Sequence, residues 1–188
     1  MKYKICVSGA AAGDSLTKDT IEKAKKVGER IAQRDCVLLT GATTGIPHYS
    51  AMGAHDENGI SIGFSPGISK REHLKKYRLP TEGMDLIVYT GFGYSGRNLL
   101  MVRSSEAVII IGGRIGTLNE FTNAFEEEKP IGVLVGTNGM ADEIERIIEI
   151  ADKGSGDIIY DKDPLKLVDK IVHLLDKKHS EYLAYQRR

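Results

Sequence analysis

Residues 112 to 121 read GGRIGTLNEF, directly after the apolar run AVIII. Glycines in such a turn let backbone N–H groups converge on something small and negative. A helix entered at Thr117 adds the partial positive charge of its N-terminus. Gly112, Gly113, Gly116 and Thr117 are therefore the first candidate cradle for a phosphate. Glu120, three residues past Thr117, has two available roles. Thr117-Leu118-Asn119-Glu120 fits the Ser/Thr-x-x-Glu capping box, in which hydroxyl and carboxylate satisfy backbone N–H groups. In the other role its carboxylate faces a ribose and attends an oxocarbenium-like carbon, as in glycoside hydrolysis.

Similar turns recur. Gly9 and Gly13 follow the apolar YKICV, Gly41 and Gly45 follow CVLLT, and Gly91, Gly93 and Gly96 follow LIVY. Gly41 to Gly45, with Thr43 and Thr44, forms a second candidate cradle, and Gly9 lies on the same rim. Ser8, Asp14 and Ser15 in the first loop read as ribose or base contacts or as ordinary turn formers. Arg97, just after the third turn, has the guanidinium geometry to grip a phosphate or carboxylate, or to orient Glu120. Arg103, six residues on, reads as structural.

Other chemistries are excluded. GxxxxGK followed by Ser or Thr is absent, and the 112–116 spacing departs from GxGxxG, so neither a Walker site nor an NAD site is expected. His48 and His55 are seven apart, too far for a helical metal pair, and no metal is expected. The basic run KREHLKKYR (70–78) lacks interleaved aromatics and reads as a solvated stretch or a lid.

Alternating strand and helix patterns must position these residues. Strands are expected at 3–7, 36–40, 60–65, 86–89, 107–111, 131–135 and 157–160. Helices are expected at 18–34, 47–57, 97–105, 117–128, 140–153 and 164–186, with 65–84 as an irregular excursion. Continuous Val/Ile/Leu strands between helices imply a mostly parallel sheet of six or seven strands, covered on both faces. The fold class is α/β, a doubly wound Rossmann-like sandwich, and residues 1–188 read as a single domain ending in the 164–186 helix. In such sheets ligands bind beyond the strands' carboxyl ends, which places all four glycine turns on one edge.

Composition narrows the partners. The 26 basic and 26 acidic residues cancel, leaving no field to draw the molecule to nucleic acid or an acidic membrane. Apolar runs are far shorter than a membrane span. Cys6 and Cys36 fall in strands without CxxC spacing, which favours neither disulfide nor zinc. A cytoplasmic protein is expected. An apolar stripe on the last helix, reaching to about Leu183, suits a homo-oligomer, dimer or tetramer.

Arg97-Asn98-Leu99-Leu100-Met101, then Ala107 to Ile111 and Gly112 to Glu120, resembles the LONELY GUY superfamily, whose hallmark is PGGxGTxxE preceded by a helix carrying RKxxM. The resemblance implies a nucleoside 5′-monophosphate phosphoribohydrolase, with Arg97 and Glu120 catalytic. The related molybdenum cofactor carrier proteins imply instead a binder of a phosphorylated pterin or nucleotide. Many members carry the label "possible lysine decarboxylase", but no lysine here is placed as a Schiff base. This chain departs from the hallmark in Ile111 standing where it has proline, in Asn98 replacing the lysine, and in GATTG as its second turn. The expected partner is a small phosphorylated ligand, nucleotide or molybdopterin-type, with no cofactor required.

Overall fold

The alternation resolves into one seven-stranded sheet. The computed structural model describes residues 1–14 and 16–186. Its elements are β1 (Lys4–Gly9), α1 (Lys18–Gln33), β2 (Val37–Thr40), α2 (Ile46–Asp56), β3 (Ile60–Ser65), α3 (Lys70–Lys75), β4 (Leu86–Tyr89), α4 (Gly93–Arg103), β5 (Ala107–Ile111), α5 (Ile115–Glu126), β6 (Ile131–Leu134), α6 (Met140–Ala151), β7 (Ile158–Asp161) and α7 (Pro164–Gln186). The strand order is β4-β3-β2-β1-β5-β6-β7, and every pairing is parallel.

Alternation along the central strands feeds two cores. Ile5, Val7, Ala107, Ile109 and Ile111 point to one face, under α1, α2 and α7. Cys6, Val108 and Ile110 point to the other, under α4, α5 and α6. Full burial of an Ile or Leu stabilises by about 1.5–3 kcal/mol, so both faces hold the sheet. This is the doubly wound Rossmann-like sandwich. Both cysteines are free and buried, and no helix among the described residues is long and apolar enough to cross a membrane.

Two helices on one face meet backbone to backbone. A Cβ on Gly28 of α1 would lie 1.9 Å from the Ser50 carbonyl oxygen of α2, and one on Gly53 of α2 would lie 2.1 Å from the Lys25 carbonyl oxygen of α1. Neither position admits a side chain.

Three sequence expectations need correction. The 65–84 stretch is not irregular throughout: it contains α3, capped by Ser69. His73 of α3 is fully buried, its Nδ1 2.9 Å from Ser65 Oγ and its Nε2 2.8 Å from the Pro80 carbonyl oxygen. A carbonyl only accepts, so Nε2 carries the proton and Nδ1 accepts from the serine. Helix α4 starts at Gly93, four residues before Arg97, because the glycine turn becomes its first turn. Helix α5 starts at Ile115, two residues before Thr117. The rim that matters lies where strand order reverses, at the adjoining ends of β1 and β5, with Gly9 opposite Ile111.

Candidate anion-binding site

Glycine makes room at this reversal point. A Cβ on Gly9 would stand 2.5 Å from the Ile111 carbonyl oxygen, and one on Gly41 only 1.5 Å from Arg97 Nη1. The bare backbones leave a cavity of about 470 Å³, within the range of small-ligand sites. Gly9, Gly41 and Thr43 line it from β1 and β2, and Arg97, Thr117 and Glu120 from α4 and α5.

Arg97 and Glu120 form its inner wall. Both are buried, with 4% and 7% of their surface exposed, and Arg97 Nη1 lies 3.9 Å from Glu120 Oε1. Ser8 Oγ donates to Glu120 Oε2. The Asn98 amide has one orientation in which its nitrogen reaches Glu120. In it the nitrogen donates to Glu120 Oε1 and to the Tyr94 carbonyl, both at 2.9 Å, whereas in the other orientation it donates to Asn119 Oδ1 at 2.9 Å and the amide oxygen faces only acceptors. Burial raises the Glu120 carboxyl above its ordinary value, opposed by Arg97 and Ser8. Burial likewise lowers Arg97, opposed by Glu120. Arg97 Nε has no hydrogen-bond partner among the described residues. A desolvated guanidinium with one distant carboxylate and an orphaned N–H has the chemistry to receive an anion.

The start of α5 supplies further donors. Its N-cap, Arg114, has extended backbone and gives no side-chain cap. The N–H groups of Ile115, Gly116 and Thr117 take no partner among the described residues, so the helix end presents its positive pole unsatisfied. The capping-box reading of Glu120 fails. Thr117 and Glu120 are the third and sixth residues of α5, and the carboxylate meets Ser8 and Asn98 instead of a helix end.

The other predicted residues divide. Gly116 lines the cavity with Thr117. Gly112, Gly113, Thr44 and Gly45 do not, and serve the frame. The Gly112 N–H donates to Thr137 Oγ1 at 2.8 Å, and the Gly113 carbonyl accepts from Met140 at 3.0 Å. Thr44 Oγ1 donates to the Ala11 carbonyl at 2.9 Å. Gly45, at φ 72°, precedes Ile46, whose N–H donates to the Ala10 carbonyl at 2.9 Å. With that donor spent and Pro47 lacking one, α2 offers a poorer cradle than α5. Asp14 is exposed, and Ser15 lies outside the described residues. Arg103 pairs with Glu127 at 2.6 Å. Among the described residues no cluster of His, Cys, Asp and Glu could hold a metal ion.

Sequence reasoning missed several wall residues, Arg114, Tyr94 and Asn119 among them. Arg114 lies along Gly13, with no ion pair among the described residues. Tyr94 and Asn119 also line the cavity. The available signals were the arginine interrupting GGxxG and the tyrosine inside TGFGYSG. Set on Gly116, Thr117 and Glu120, the hallmark places its proline at Gly112 rather than at Ile111, and its second glycine at Arg114, a substitution that adds charge.

Comparison with known proteins agrees with this architecture. The model of the SLOG cluster4 family matches residues 2–168. The chain belongs to that family. An uncharacterized protein of Archaeoglobus fulgidus is 30% identical over 131 residues, covering 70% of this chain and 81% of the relative. Among solved structures, the molybdenum cofactor binding protein of Rippkaea orientalis is 27% identical with a TM-score of 0.77, over 93% of this chain and 98% of that one. The Moco carrier protein of Chlamydomonas reinhardtii is 25% identical with a TM-score of 0.77, over 94% and 99%. The SLOG cluster4 chain is thus similar to molybdenum cofactor carriers across nearly its whole length, as the residues from Arg97 to Glu120 suggested.

Proposed function

We propose that this protein binds a small phosphorylated ligand, of the nucleotide or phosphopterin kind, between the ends of β1, β2 and β5. The observation that carries the reading is Arg97: a buried guanidinium with an orphaned Nε, in one cavity with the uncapped start of α5. The phosphate takes the free N–H groups of Ile115 to Thr117, and Arg97 supplies charge from the inner wall. Gly9, Gly41, Thr43 and Gly116 keep the walls thin enough for a ligand to approach backbone. The likeness to carriers of the molybdenum cofactor supports holding the ligand intact, and a phosphate is the handle these residues offer to such a cargo.

A second reading is favoured by Glu120 itself. Its carboxylate stands in the same cavity as the phosphate donors, where it could attend an anomeric carbon and make the protein a nucleoside 5′-monophosphate hydrolase. Against this, Ser8, Asn98 and Arg97 already engage the carboxylate, and Asn98 gives it a neutral donor where the hallmark has a lysine.

Incubation of the parent protein and Glu120→Gln with a panel of nucleoside 5′-monophosphates separates the two. Binding by both proteins without release of free base supports the carrier reading. Base release by the parent, abolished in Glu120→Gln, establishes the hydrolase. Absence of binding by the parent to every phosphorylated probe, with no phosphorylated ligand retained in native mass spectrometry, rejects both.

A further inference from the structure

The cavity wall is polar and charged towards α5 but carries a single aromatic side chain among its described lining residues, Tyr94. We infer that Tyr94 is the platform on which a flat heteroaromatic ring of the ligand stacks. The ligand is then a phosphate ester of such a ring, with its phosphate at α5 and its ring at the start of α4. This inference rests on the phosphate-binding reading above and extends it to the other end of the ligand.

Tyr94 is half exposed, at 50%, yet it is not a loose surface side chain. The Tyr77 ring stands nearly perpendicular to it, with centroids 5.6 Å apart and an interplanar angle of 87°. The Arg97 guanidinium carbon lies 5.8 Å from its centroid. An aromatic side chain braced by an edge-on neighbour and a cation is already ordered, so a stacking ligand bears little of the cost of fixing it. Its position is set by the turn before it: Gly91 and Gly93 have φ of 74° and 64°, and a Cβ on Gly93 would meet nothing. That glycine is retained for turn geometry, and the turn delivers the tyrosine to the cavity. Ala10, Ala11 and Pro47, small and apolar, complete this part of the wall.

Arg97 joins the two ends. Glu120 Oε1 lies 3.9 Å from its Nη1 and the Tyr94 ring 5.8 Å from its Cζ, so one guanidinium serves both the charged wall and the aromatic platform. Arg114, at the N-cap of α5 and without an ion pair among the described residues, marks the phosphate end.

The test uses the full chain and two probes titrated by calorimetry, guanosine 5′-monophosphate and ribose 5-phosphate. Tyr94→Ala should weaken the first by about tenfold or more, since stacking on an aromatic side chain is worth that much per base, and leave the second within about twofold. Tyr94→Phe should retain the parent's affinity for both. Arg114→Ala should weaken both probes alike. Equal weakening of the two probes by Tyr94→Ala would mean that the ring merely props Arg97, and overturns the inference while leaving the phosphate reading intact. So would parental affinity of Tyr94→Ala for both. Failure of the parent to bind either probe overturns this inference, and the phosphate reading falls with it when native mass spectrometry also finds no phosphorylated ligand retained.

Discussion

The guanidinium of Arg97 occupies the space that any side chain at Gly41 would need. A Cβ at position 41 would stand 1.5 Å from Nη1 and 2.7 Å from Cζ. The obstacle is the far end of an arginine rather than backbone, so the arginine yields. Gly41→Ala is therefore expected to cost only about 1 kcal/mol of stability, in the lower part of the overpacking range, and about 2–4 °C in melting temperature. The larger effect falls on the ligand: affinity for guanosine 5′-monophosphate drops by about tenfold or more as Arg97 is pushed off the inner wall. Unchanged affinity in a folded Gly41→Ala protein removes Arg97 from the binding wall.

Burial raises the Glu120 carboxyl from its ordinary value of 4.5, and the sign of the linkage follows. The folded state holds this proton to higher pH than the unfolded state does. The group's favourable contribution is complete below the unfolded value and is lost as pH rises through the folded one. Glu120→Gln cannot ionise and escapes this loss. The melting temperature of the parent relative to Glu120→Gln should therefore be highest in acid and decline as pH rises from about 4.5. A difference that stays flat from pH 4 to pH 8 contradicts a raised Glu120.

Asp169 of α7 behaves in the opposite sense. It accepts from Arg30 Nε and Nη2 at 2.8 Å each and from Arg34 Nε at 2.7 Å, which holds its carboxyl well below the usual range. Its contribution is present above the unfolded value of about 3.9 and is lost as pH falls through the depressed folded value. The ion pairs are partly exposed, so water screens them. Asp169→Asn should lower stability near pH 7 by about 0.5–1 kcal/mol, seen as a fall of roughly 1–4 °C in melting temperature, with the gap closing below about pH 4.

His73 tethers α3 through Ser65 and Pro80, and α3 is followed directly by Tyr77, the brace of Tyr94. His73→Ala leaves the part-buried Pro80 carbonyl without this donor and the Ser65 hydroxyl, which still accepts from the Gly67 N–H, without its acceptor. Limited trypsin digestion should then cut first among Lys70, Arg71, Lys75, Lys76 and Arg78, several times faster than in the parent. Equal rates would show that α3 is held by other contacts.

Much of the fold could be read directly from the chain because parallel strands buried on both faces are written as unbroken apolar runs. VLLT, AVIII and IGVL stand out on that account. The phosphate cradle was half legible: Gly116 and Thr117 line the cavity, whereas Gly112 and Gly45 serve the frame, and composition alone does not distinguish a glycine that opens a wall from one that permits a tight turn. For Glu120 the capping pattern reads as well as the ribose-facing role, because its partner Ser8 lies 112 residues away and meets it only through the β1–β5 pairing. The start of α4 was missed because Gly93 and Gly96 are poor helix formers, and tertiary packing overrides that weakness. His73 escaped notice because its neighbours in the run are nearly all charged, which masks a single inward-facing residue.

The touching backbones at Gly28 and Gly53 make α1 and α2 a single stiff buttress. They fix the floor on which Gly9, Gly41 and Thr43 sit, so that flank has no slack to give. The opposite bank is joined differently: α4 packs on the sheet and α5 through Met101 and Val102, and the short α3 is tethered through His73. The recess is therefore bounded on one flank by backbone meeting backbone and on the other by side chains alone, so a substitution that enlarges a residue is refused on the first and can be absorbed on the second.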